Sequence, residues 1–286
     1  MHRTHDETGK ALLYVVATPI GNLQDISLRA LEVLKQVDVV AAEDTRVTSH
    51  LLKHFGISAT MMALHEHNEK RAADKVIGLL RYGKSVALVS DAGTPAFSDP
   101  GAIVVSRVRD AGFRIVPVPG ANAAVSALSV SGQKAPHFLF YGFLPNKPSA
   151  RRRELEALKT LPYTLIVYEA PHRILESIAD MQAVFGGKRS VTIARELTKL
   201  FENIYSGSLS AALEWLSQDK NRQKGEFVLL VSGAEKQPAS ANDVQRILTA
   251  LLDELPLKQA VKLAVQISGE NRKTLYAMAL QIKGKS

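Results

Sequence analysis

The chain contains no cysteine. Disulfides, thiolate metal sites and cysteine nucleophiles are excluded together, and the absence fits a reducing compartment, with the cytoplasm as the expectation. No apolar run approaches the roughly 20 residues of a membrane span. Met1 to Lys10 are polar and lack the apolar core of a signal peptide, so residues 1–11 read as a disordered leader. Acidic residues are in deficit, 28 Asp and Glu against 36 Lys and Arg, for a formal charge of +8 over 286 residues. Such an excess suits a polyanionic partner, nucleic acid foremost; a merely basic protein is the alternative. Familiar catalytic patterns are also missing. There is no G-x-S-x-G elbow, no Walker A loop, no H-E-x-x-H and no G-x-G-x-x-G after the first strand. His65-Glu66-His67 lacks the spacing that aims two rings at one ion. His50 and His54 have it but no third ligand, so no metal is expected.

What is present is an alternation of short apolar runs and amphipathic stretches. Hydrophobic residues make up 46% and charged residues 22%, ordinary for a globular chain, and the length suggests two domains. Strands are predicted at 12–17, 37–42, 85–89 and 115–118. Helices lie between them, at about 27–34, 48–55, 69–82 and 100–111, with Ser27 or Asp25 capping the first and Leu28, Leu31 and Leu34 on one face. The order argues for a mainly parallel sheet covered on both faces, an α/β fold. Each of these strands ends in an unusual loop. The most informative is Ser90-Asp91-Ala92-Gly93-Thr94-Pro95-Ala96-Phe97-Ser98-Asp99-Pro100-Gly101, since ligands bind at the carboxyl ends of strands in open α/β sheets. Within it, Asp99 reads as a helix cap rather than a ligand. A second α/β unit follows, with strands at 138–141, 163–168, 190–194 and 226–231. Helices are expected near 149–159, 171–184 and 208–218. The predicted division is 12–128, 129–235 and a helical extension over 236–286. Two of its helices, about a break at 268–271, resemble a helix-turn-helix or an ordinary helical hairpin.

Eight motifs, in order, carry a resemblance. They are V-A-T-P-I-G-N-L-Q-D-I-S-L-R-A-L (16–31), A-A-E-D-T-R (41–46), V-S-D-A-G-T-P-A-F-S-D-P-G (89–101) and P-V-P-G-A-N-A-A (117–124). Then follow G-F-L-P-N-K (142–147), Y-E-A-P-H-R (168–173), R-E-L-T-K (195–199) and G-E-F-V-L-L-V (225–231). The chain thereby resembles the tetrapyrrole-methylase superfamily (class III methyltransferases), and within it the ribosomal RNA 2′-O-methyltransferase branch. Relatives acting on corrin or porphyrin precursors often carry a G-x-G-x-G-D first loop. Ala17 to Asn22 stands there instead, and Glu43-Asp44-Thr45-Arg46 points toward the RNA branch.

The resemblance implies a two-domain fold with S-adenosylmethionine in the cleft. It further implies 2′-O-methylation, by a homodimer, of a cytidine ribose in the decoding region of small-subunit (16S) ribosomal RNA, met either as free RNA or within the small subunit. By motif, Pro19, Ile20, Asp91, Gly93, Thr94, Phe97, Asn122 and Ala123 would hold the cofactor. A weakly acidic hydroxyl gains from a base or a nearby cation as its proton leaves. Asp44, Arg46, Glu169, Arg195, Glu196 and Lys199 are the catalytic candidates, with no base singled out. Structural ion pairing of Glu169 with Arg173 and of Arg195 with Glu196 is the alternative. Lys147, Arg151, Arg152, Arg153 and Arg173 are the candidates for RNA phosphates. Two other readings stand beside this one: a small-molecule methyltransferase acting on a tetrapyrrole, and a non-catalytic RNA-binding scaffold.

Overall fold

In the computed structural model, residues 11–133, 137–235 and 241–283 are described. The expected leader falls almost wholly outside them. Three strands of the first half are buried on both faces: β1 (Leu12–Val16), β2 (Val39–Ala42) and β4 (Val86–Val89). Near-continuous apolar runs of this kind belong in a parallel sheet covered by helices. The edges are β3 (Thr60–Ala63) and β5 (Arg114–Val118), and the order β3-β2-β4-β1-β5 is parallel throughout. One face packs on α3 (Glu69–Arg81) and α4 (Ala102–Asp110) through Ala72, Val76, Leu80, Val104 and Val108. The other packs on α1 (Leu28–Gln36) and α2 (Thr45–His54) through Ala30, Leu34 and Leu52. Ser27 caps α1 by accepting from the Ala30 amide at 3.1 Å. Leu28 does not share the core face: it is 80% exposed, and Val33 takes the buried position.

The second sheet is mixed. Its strands are β6 (Phe138–Phe143), β7 (Thr164–Glu169), β8 (Ser190–Arg195), β9 (Asn203–Ser208) and β10 (Phe227–Val231), ordered β6-β7-β10-β8-β9. Only β6 and β7 run parallel. One face is covered by α6 (Pro148–Leu158), α7 (Ile174–Phe185) and α8 (Leu209–Gln218). The other receives α5 (Ala123–Val130), whose Ala124 and Ala127 lie against Ile166, Ala194 and Val228. Ile20 and Phe97, from loops of the first sheet, join that same cluster. The two sheets therefore share an apolar seam, and both belong to one compact unit.

Residues 160–162 and 233–286 form the other unit. It holds three helices rather than two: α9 (Ala241–Glu254), α10 (Leu257–Ser268) and α11 (Arg272–Lys283). Pro256, which lacks an amide hydrogen, separates α9 from α10. Gly269, at φ 71, ends α10 in the left-handed conformation. Val244, Leu248, Val261, Ala264 and Leu275 form its core. Among the described residues no helix is long and apolar enough to cross a membrane.

Candidate active site: two adjoining cavities at the strand ends

Three loops at the carboxyl edge of the first sheet are tied together by backbone and threonine hydrogen bonds. Thr18, after β1, and Gly93, after β4, exchange amide hydrogen bonds of 2.9 and 3.1 Å, and the Thr18 hydroxyl donates to the Ser90 carbonyl at 3.0 Å. Gly93 sits at φ +84, where a side chain would be strained and would meet Ile20. The Thr94 hydroxyl donates to the Ala121 carbonyl after β5 at 3.1 Å. Loop 17–22 in turn lies against residues 197–199. A Cβ on Gly21 would stand 2.5 Å from the Lys199 side chain and 2.8 Å from that of Thr198.

Among the described residues, four that are not glycine have left-handed φ: Ala96, Ser98, Glu196 and Thr198. All lie in the two loops that flank the seam. Backbone held in sparsely populated regions gathers where surrounding structure fixes a working geometry.

Two cavities open here. The inner one, about 370 Å³, has walls from Ile20, Phe97, Leu197 and Val228 and a floor including Phe227. Gly93, Thr94, Asn122 and Ala123 border it. Phe97 stacks on Phe140 at 4.0 Å, and Tyr168 meets Phe140 edge-on. The Ala124 amide donates to the Tyr168 hydroxyl at 3.2 Å. Burial pushes the Tyr168 phenol up to about 12. The outer cavity, about 460 Å³, is bordered by Pro19, Leu51, His50, His54, Asp91 and Lys199. Ile20, Ala92 and Glu226 border both, so the two are neighbours.

Several predicted residues occupy other places. Pro19 and Asp91 border the outer cavity and not the inner one. The Asp91 carboxylate accepts the Asp44 amide at 2.9 Å. Asp44 is the N-cap of α2 and forms an ion pair with Arg46 at 2.6 Å, which holds its carboxyl down at about 2. So acidic a group is a poor proton acceptor, and neither Asp44 nor Arg46 borders either of these two cavities. Glu169 borders the inner cavity, but its carboxylate is buried and engaged by Arg173, the Ser177 hydroxyl and the Ala170 amide. The ion-pair alternative holds for Glu169 and Arg173. Arg195 and Glu196 are not partners. Arg195 donates to the carbonyls of Lys224 and Phe201, at 2.7 and 3.2 Å. Glu196 takes Lys199 and the Glu226 amide, both at 2.9 Å. Burial would raise the Glu196 carboxyl, but those hydrogen bonds outweigh it and the net direction is down.

The expectation that Arg151 and Arg173 meet RNA phosphates is corrected. Arg151 is fully buried, its Nε donating to Asp180 at 2.7 Å and its Nη1 to the Asn146 carbonyl at 3.2 Å. Arg173 is buried on Glu169 and Asn146. Lys147, Arg152 and Arg153 remain exposed. Asp99 is corrected too. Gly101 is the N-cap of α4, and the amides of Gly101 and Ile103 donate to Glu69 of α3, each at 2.8 Å. Asp99 instead borders the inner cavity. Its local context, Asp-Pro-Gly before a helix, reads as a cap because the true acceptor lies 32 residues upstream.

Residues 12–213 match the model of the Tetrapyrrole (Corrin/Porphyrin) Methylases. The chain belongs to that family. Residues 238–283 match a second model, the RsmI C-terminal HTH domain. Among curated proteins, this methylase is 51% identical to a ribosomal RNA small subunit methyltransferase I of Pseudomonas aeruginosa, over 96% of this chain and 98% of the relative. It is 48% identical to the protein of that name in Escherichia coli O157:H7, over 99% of each. Solved structures share the methylase fold. A uroporphyrin-III-C-methyltransferase from Thermus thermophilus aligns with a TM-score of 0.54 at 20% identity, over 78% of this chain and 94% of that one. A cobalt precorrin-4 methyltransferase aligns at 0.56 and 18%, over 76% and 93%. The protein is thus a methyltransferase whose family uses S-adenosylmethionine.

The inner cavity fits that cofactor. It is concave, mostly apolar and of ligand size, with a few convergent polar groups, the carboxyls of Asp99, Glu169 and Glu226 among them, to meet a cationic ligand.

Proposed function

We propose that this chain transfers the methyl group of S-adenosylmethionine to the ribose 2′-hydroxyl of a cytidine in the decoding region of small-subunit ribosomal RNA. The observation that carries the reading is the pair of adjoining cavities sharing Ile20, Ala92 and Glu226, in a chain with full-length relatives of that name. The cofactor supplies an already activated methyl group, so positioning by the protein can provide much of the acceleration. Ile20, Phe97, Leu197 and Val228 hold the inner cavity and keep water from it. The outer cavity receives the acceptor nucleoside. There Lys199, fixed between Glu196 and Glu226 at 2.9 Å each, places a cation beside the shared wall. Its charge favours the departing proton's oxygen. Lys147, Arg152 and Arg153 contact phosphates outside the cavities. The enzyme works as a homodimer in the cytoplasm.

Incubation with tritiated S-adenosylmethionine and small subunits lacking the modification tests the reading. Label resistant to alkaline cleavage at one cytidine is the expected result. Absence of label on subunits and free RNA, with cofactor binding intact, would instead favour a small-molecule acceptor.

A further inference from the structure

We propose that Asp99 is the counter-ion of the donor's sulfonium and so separates the cationic methyl donor from its neutral demethylated product. The inference rests on the cofactor reading above and adds a residue to which no motif assigned that part.

Asp99 borders the inner cavity, near the Ser90 side chain. The charges facing it are Glu43, at the end of β2, and Asp91, after β4; both are acidic. From the second sheet it faces Tyr168, whose phenol stays neutral. The other carboxylates of the cavity wall are already matched, Glu169 by Arg173 and Glu226 by Lys199. Among the described residues, no cation acts on Asp99 or on Glu43. Burial first, and Glu43 second, push the Asp99 carboxyl up to about 6. A half-buried carboxylate among its own kind is unfavourable until a cation arrives. S-Adenosylmethionine brings one. It differs from S-adenosylhomocysteine by a methyl group and a single positive charge at sulfur. Adenine, ribose, amino and carboxylate groups are common to both, so a contact to any of these cancels in the comparison.

The sign of the pH dependence follows. A bound cation favours ionised Asp99, so donor affinity is full above about pH 6. It declines below that value by up to about tenfold per unit, while product affinity does not follow.

Titration calorimetry on the full chain at about pH 7 tests this with three ligands. They are S-adenosylmethionine, S-adenosylhomocysteine and sinefungin, which carries an amine in place of the sulfonium. Asp99→Asn should weaken the two cationic ligands about tenfold and leave S-adenosylhomocysteine unchanged. Equal losses for all three would move Asp99 to the shared amino-acid or ribose end and overturn the proposal, as would no loss for any. If the wild type binds none of the three, the cofactor reading itself fails and this inference with it. Should the Asn variant not fold, Glu43→Gln keeps Asp99 and removes a charge that raises it. The pH at which donor affinity declines should then move downward, and an unmoved midpoint overturns the proposal.

Discussion

Arg151 and Arg153 are the same residue type two positions apart, yet one is inside the protein and the other in water. Helical phase makes the difference. Arg151 lies one turn from Leu155, both fully buried, and residues four apart share a helix face. Arg153 points away. Removing Arg151 leaves the buried Asp180 with Arg152 alone and one of its oxygens without a cation. Arg151→Ala should therefore lower unfolding free energy by about 3–5 kcal/mol. Arg153→Ala should stay within about 0.5 kcal/mol, both read by urea denaturation. Equal effects would mean that the burial of Arg151 is wrong. The cue was present in the sequence, since Arg151, Leu155 and Leu158 recur at helical spacing. A run of three arginines suggests a basic face so strongly that the phase is easily passed over. Glu169 carries no such cue. Its environment is set by Arg173 and Ser177 from the following turn and helix.

At the scale of elements, the strands buried on both faces were legible, as were the edge strands β5 and β6, while the edge strands β3 and β9 were not. β1, β2 and β4 are unbroken apolar runs. β3 and β9 lie at sheet edges, half exposed, and Asn203-Ile204-Tyr205-Ser206-Gly207-Ser208 has little apolar content to mark it. The break at Pro256 was signalled by the proline alone, inside an otherwise continuous helical pattern. The cap of α4 had no local signal, because Glu69 arrives from another helix. That cap ties α3 to the loop that borders the inner cavity. Glu69→Ala leaves two amides at the buried start of α4 without their acceptor, which costs about 1–3 kcal/mol for each group left unsatisfied. A lower melting temperature and weaker cofactor binding are expected together. A variant that loses stability but binds the cofactor normally would show that the loop holds its shape without α4.

For the whole molecule, the charge of +8 acts at long range, while two of the five basic residues singled out for RNA are buried. With Arg151 and Arg173 buried, the exposed set near α6 is Lys147, Arg152 and Arg153. Changing these three to Ala should weaken RNA binding across sequences and reduce the slope of log affinity against log salt by roughly 2 to 3. Filter binding at several salt concentrations measures it, and an unaltered slope would remove this helix from the substrate path. The motifs revealed which loops meet, but not which cavity each side chain enters. Asp91 and Asp99 belong to one loop and face different spaces.

The order of strands in the second sheet carries a consequence for synthesis. β10, the last strand in sequence among the described residues, is the central strand of its sheet and links β7 to β8. Until the ribosome has released residues 227–231, β6–β7 and β8–β9 are separate pairs with an open gap between them. Phe227 and Val228, which complete the inner cavity, are then still missing. An emerging chain therefore has no place for the methyl donor while most of its length is already made. Any nonsense product ending before that strand would be unable to compete with the finished enzyme for its cofactor.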